Sequence, residues 1–141
     1  MTAHSGVPTV LIVDHDVGLV CWLGEVFTEI GLQAIPAVNC RQALAFSDQL
    51  AADVDVVAVN PGLPGVSRMI QTLKSAQPNL KVILIQDHDD EPNRAPPADA
   101  TIERPSGWQT ISRTLWHQKL RGVLRLLNTN PPPGEGTPAR I

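Results

Sequence analysis

An α/β fold, a parallel sheet covered by helices on both faces, is predicted by three observations. The run Val56-Val57-Ala58-Val59 is β-branched and small apolar throughout, stops at Asn60, and is followed by Pro61-Gly62-Leu63-Pro64-Gly65. A second apolar run, Val10-Leu11-Ile12-Val13, ends in Asp14-His15-Asp16. Stretches with apolar residues three and four apart alternate with such runs. A strand that is apolar at every position belongs in a sheet buried on both faces, the parallel arrangement. Ligands bind at the carboxyl ends of strands in open sheets of this kind, so Asn60 is the first residue to question about function.

The elements follow in order. Residues 10–13 form the first strand. Over residues 17–30, Leu19, Val20, Leu23, Val26, Phe27 and Ile30 make an amphipathic helix, with Asp16 as N-cap and Gly31 just past its end. Residues 32–38 form a weaker strand. Asn39 and Gln42 have capping-box spacing, and Ala43, Leu44, Phe46 and Leu50 give the next helix its inward face. The strand over 55–60 and its Pro-Gly loop lead to a helix over 66–76 carrying Met69, Ile70 and Leu73, then to a strand over 81–86.

The alternation then breaks. Residues 87–98 hold Pro92, Pro96 and Pro97 among several acids, and prolines at that density exclude a helix of more than one turn. A short fifth strand over 99–103 closes on Arg104-Pro105, and Ser106 with Gln109 repeats the capping pattern. The last helix, over 106–127, is long. Trp108, Ile111, Leu115, Trp116, Leu120, Val123, Leu124 and Leu127 form its broad apolar face. Residues 128–141, with three consecutive prolines, read as a disordered tail, leaving 8–127 as one domain.

Composition narrows the function classes. With 141 residues, 43% of them hydrophobic, the chain can build one core, and a net charge of −3 supplies no general attraction for nucleic acid. Cys21 and Cys40 have no metal or redox spacing and are expected to be reduced and buried as small hydrophobes. No leader sequence or membrane span is legible, so a cytoplasmic location without nucleic-acid or membrane partners is expected.

Together, the strand-plus-acid segment 10–16, the loop 60–65 and the Arg104-Pro105 pair resemble the receiver domain of two-component response regulators, the CheY-like domains. The resemblance covers about residues 8–127. It implies a flavodoxin-like, doubly wound five-stranded parallel sheet of order 2-1-3-4-5, here with the fourth helix reduced or absent and a long C-terminal helix.

Departures from that pattern carry the functional expectation. Receivers hold Mg²⁺ with two adjacent acids after the first strand, phosphorylate an Asp ending the third, and place Ser or Thr after the fourth and Lys before Pro after the fifth. Asp14 keeps the first acid, whereas His15, Asn60, Gln86 and Arg104 replace the others; Asp16 completes this degenerate pocket. A carboxamide oxygen is a far poorer nucleophile than a carboxylate and forms no stable acyl phosphate, so Asn60 is not an acceptor. Replacing two acids by His15 and Asn60 also removes the charge that attracts a hard cation. Pro61 has no N–H, which closes the ordinary deamidation route from Asn60 to Asp.

His15 reads as a rim histidine bonded to a carboxylate, and Arg104 as the partner of Asp14 or Asp16 rather than a phosphate clamp. No Gly-rich phosphate loop, nucleophile triad or ligand-spaced Cys/His cluster points to an enzyme, a metal or a cofactor. The expected function is a standalone, phosphorylation-independent interaction module in two-component signalling. It would bind signalling proteins and form a homodimer through Trp116, Leu120, Val123, Leu124 and Leu127. The alternative is a protein that binds a small ligand or anion in the degenerate pocket.

Overall fold

A computed structural model describes residues 7–50, 54–86, 97–104 and 113–127. Its elements are β1 (Thr9–Val13), α1 (Val17–Glu29), β2 (Gln33–Ala37), α2 (Cys40–Leu50), β3 (Val56–Val59), α3 (Val66–Ala76), β4 (Lys81–Gln86), β5 (Ala100–Glu103) and α4 (Arg113–Leu127). All strand pairs are parallel and the sheet order is β2-β1-β3-β4-β5. This is the predicted flavodoxin-like architecture, with helices on both faces of the sheet.

Strand pleating divides the core in two. Val10, Ile12, Val56, Ala58, Ile83 and Ile85 point to one face, where α1 and α4 cover them. Leu11, Val13, Val57, Val59, Val82 and Leu84 point to the other, under α2 and α3. Because both sets are buried, β1 and β3 carry no polar residue inside their apolar runs, except Thr9 at the start of β1. Pro36 sits in β2, an edge strand, where a missing N–H is tolerated.

Local signals act at the helix ends. Asp16 Oδ1 accepts the Leu19 N–H at 3.1 Å, and Gly31, just after α1, takes φ 103°, a conformation that favours glycine. Asn39 Oδ1 accepts the Gln42 N–H at 2.7 Å. The reciprocal half of the box reaches one residue further back: Gln42 Oε1 accepts from the Val38 N–H at 2.8 Å.

Three expectations need correction. Trp116 and Leu120, assigned to an interface, are buried within the chain's own core, where Trp116 meets Trp22 edge to face with ring centroids 5.6 Å apart. Packing α4 onto α1 uses them as core. Leu115, assigned to the same apolar face, points outward and is 59% exposed. Cys21 is also exposed, on the outer side of α1, whereas Cys40 is buried.

Val123 and Leu124 are half-buried against the core; the side chain of Leu127 lies outside the described residues. So do residues 87–96, 105–112 and 128–141, and with them the expectations of a reduced fourth helix, the Ser106 capping box and the tail. Among the described residues no helix is long and apolar enough to cross a membrane.

Candidate functional site

The ends of β1, β3 and β5 place the rim residues. Asp14 continues β1, and its N–H still donates to the Ala37 carbonyl at 3.1 Å, which holds its carboxylate at the rim with no solvent exposure. A fully buried carboxylate requires hydrogen bonds and a countercharge. Asp14 Oδ1 accepts the Asp16 N–H at 3.0 Å, and Oδ2 accepts from Nη2 of Arg104. Arg104 is brought there by β5: its own N–H donates to the Gln86 carbonyl at 2.7 Å, so Gln86 enters the rim through its backbone. The second guanidinium nitrogen lies 3.8 Å from Asp16 Oδ2. His15 Nδ1 is 3.4 Å from Asp14 Oδ1, but the His15 side chain is 70% exposed and lies at the edge of the cluster.

Asn60 is held separately. Its N–H donates to the Val13 carbonyl at 3.0 Å, and its carbonyl accepts from Leu63 at 3.2 Å. Its carboxamide Oδ1 accepts the Gly62 N–H at 2.8 Å, forming an Asx turn. A Cβ on Gly62 would lie 3.3 Å from that oxygen, a tight contact that glycine avoids. Asp14, Asp16 and Arg104 therefore form one ion-paired cluster with His15 at its edge, whereas the Asn60 carboxamide oxygen is bonded within its own loop.

A second polar cluster joins α1 to α4. Arg113 bonds Glu29 Oε2 at 2.5 Å and also Glu25, while His117 Nε2 lies 2.6 Å from Glu29 Oε1. The His117 hydrogen bond, aided by Arg113, holds the Glu29 carboxyl below the usual carboxylate range. Bonding to Glu25, aided by Glu29, raises the affinity of Arg113 for its proton. Burial pushes the Cys40 thiol up. Sequence reading missed this clasp, although Glu25/Glu29 and Arg113/His117 each stand four apart on a helix, the spacing that puts two side chains on one face. It also missed Asp55 and Asp99, whose carboxylates accept the Thr9 and Val82 N–H groups, each at 2.8 Å, where β1 and β4 begin. Two cavities of about 440 and 410 Å³ lie on the flanks, against α1 with β2 and against α3, and neither is lined by a rim residue.

Known structures share this arrangement of strands and helices. A response regulator receiver protein from Sinorhizobium medicae matches with TM-score 0.68 and 19% identity, over 89% of this chain and 98% of that one. Chemotaxis response regulator CheY4 of Vibrio cholerae matches with TM-score 0.64 and 16% identity, over 83% and 98%. NtrX from Brucella abortus matches with TM-score 0.65 and 19% identity, over 87% of this chain but 27% of its own. No protein-family model matches the sequence, and no curated protein matches it. The fold is thus that of response regulator receiver domains.

Mg²⁺, which that fold family implies, does not fit these residues. The Asp14 carboxylate already has a guanidinium counterion, Asn60 Oδ1 is bonded to its loop, and His15 stands largely in solvent. Among the described residues no three His, Cys, Asp or Glu side chains are grouped to hold a metal ion.

Proposed function

We propose that this chain is a non-catalytic protein-interaction module of two-component signalling that keeps the receiver fold and works without phosphorylation. The observation that carries the reading is the pairing of Asp14 with Arg104. A hard cation is drawn to a site by uncompensated carboxylate charge, and here a guanidinium built into the chain supplies that compensation permanently. The carboxamide at Asn60 then removes the nucleophile as well. With Asp14 paired from within the chain, the conformation of the rim does not depend on a phosphoryl group, and the protein signals through the surfaces it presents to other proteins.

Incubation with acetyl phosphate and Mg²⁺, followed by intact mass, tests this. The wild-type protein should gain no phosphoryl group, and Asn60→Asp should gain little, because His15 still occupies the second acidic position. Asn60→Asp with His15→Asp should show labelling that requires Mg²⁺. Labelling of the wild type that disappears with chelator would overturn the proposal.

A further inference from the structure

We propose that residues 128–141, the segment that follows α4, dock through Pro131, Pro132, Pro133 and Arg140 into the groove between α1 and the edge strand β2. This goes beyond the proposed function, because it assigns a surface and an occupant carried by the same chain.

The groove is the first observation. A cavity of about 440 Å³ lies where Val20, Cys21, Gly24 and Thr28 of α1 meet Ala34 and Pro36 of β2, and its walls are mainly apolar. β2 is an outer strand of the sheet, and its free edge does not invite another strand. The Gln33 N–H donates inward, to the Pro8 carbonyl, so by alternation Ala34, Pro36 and Val38 face outward. Pro36 has no N–H and that of Val38 is taken by Gln42 Oε1, which leaves Ala34 alone to donate. An occupant that needs a ladder of backbone bonds is thereby excluded. One that binds by packing its side chains is favoured.

The second observation is what the chain itself offers. Residues 128–141 hold Pro131, Pro132 and Pro133 in a row and one basic residue, Arg140. A run of three prolines favours a polyproline II path, which makes no internal hydrogen bonds, is set before binding, and brings no N–H against an apolar wall. Charge then gives the direction. Glu25, on the groove wall, gives one carboxylate oxygen to Arg113; the other has no partner among the described residues and the side chain is 61% exposed, so it can take the Arg140 guanidinium. The cavity against α3 is lined by Lys74 and by no carboxylate, so it would repel that end of the segment.

Reach allows the contact. Arg113 bridges Glu25 and Glu29 and His117 meets Glu29, so α1 and α4 run the same way, and residues 118–127 carry α4 about 15 Å past the level of Glu29. The way back to Cys21 is about 27 Å at the same rise per residue, whereas residues 128–141 span about 43 Å along a polyproline II path. Being tethered, the segment faces the groove at an effective concentration on the order of millimolar, which populates even a weak contact. Docked there, it controls access to the flank formed by α1 and β2.

The test uses the full ¹⁵N-labelled chain with Cys21→Ser and Ala139→Cys, carrying a nitroxide at position 139. Cys40 is buried and its thiol is pushed up, so it stays unlabelled. The amides of Gly24, Thr28 and Ala34 should lose their signals and recover them when the nitroxide is reduced, while Arg68 and Lys74 on α3 keep theirs. Replacing Pro131, Pro132 and Pro133 together by Ser should restore the lost signals, and Arg140→Gln should restore them in part. Thr28→Trp, at an exposed position on the groove wall, should also restore signal at Gly24 and Ala34 without lowering the melting temperature. Signal loss spread evenly over the surface, loss centred on α3, or insensitivity to the proline substitutions would each overturn the proposal. So would equal loss in a mixed sample with the nitroxide and the ¹⁵N on different chains, since the occupant would then be a second copy. Phosphorylation of the wild type would sink the phosphorylation-independent reading and leave this contact standing.

Discussion

Two guanidinium–carboxylate clusters link separate elements of this protein, one built on a buried carboxylate and one on exposed carboxylates. At the rim, Asp14 is wholly enclosed and Arg104 is 16% exposed. In the clasp, Arg113 is 37% exposed and its partner Glu25 61% exposed. The links of the clasp are screened, and exposed pairs contribute typically about 0.2–1 kcal/mol. The rim pair lies where water cannot substitute for a lost partner. What separates the two is therefore the penalty for leaving one charge behind.

The largest expected effect comes from stranding the buried charge. Arg104→Ala should destabilise the protein by about 3–5 kcal/mol, read from urea unfolding, because Asp14 keeps its burial and loses its counterion. Asp14→Asn in that background should recover much of the loss, since the amide oxygen still accepts the Asp16 N–H. If Arg104→Ala costs no more than a surface change, burial is not what distinguishes the two clusters.

Next in size is the clasp itself. Arg113→Ala should cost about 1 kcal/mol or less in the same assay, and the difference from wild type should shrink in high salt. Salt should leave the cost of Arg104→Ala nearly unchanged.

The smallest effect is that of pH on the clasp. The folded carboxyl of Glu29 titrates below its unfolded value, so its contribution is present above the unfolded carboxylate range, near about pH 4.3, and is lost as pH falls through the lower folded value. The melting-temperature gap between wild type and Glu29→Gln should thus be open at pH 7 and close in strong acid. A gap that widened on acidification would show that the sign is wrong.

The sequence by itself determined the strands, the helix starts and the set of rim positions. A strand buried on both faces must be apolar throughout, so β1 and β3 announce themselves and end at Asp14 and Asn60. Caps such as Asp16 and Asn39 bond a backbone group three residues on, within reach of local pattern. Only the tertiary structure decided which partner each rim residue takes: Arg104 reaches Asp14 across 90 positions, and Arg113 reaches Glu25 across 88. It also decided which way the last helix faces. Periodicity gave Leu115, Trp116 and Leu120 one broad apolar stripe, whereas packing against Trp22 took Trp116 and Leu120 inward and left Leu115 in solvent. Periodicity and capping are properties of neighbours along the chain; ion-pair choice and helix rotation depend on which elements the sheet order sets side by side.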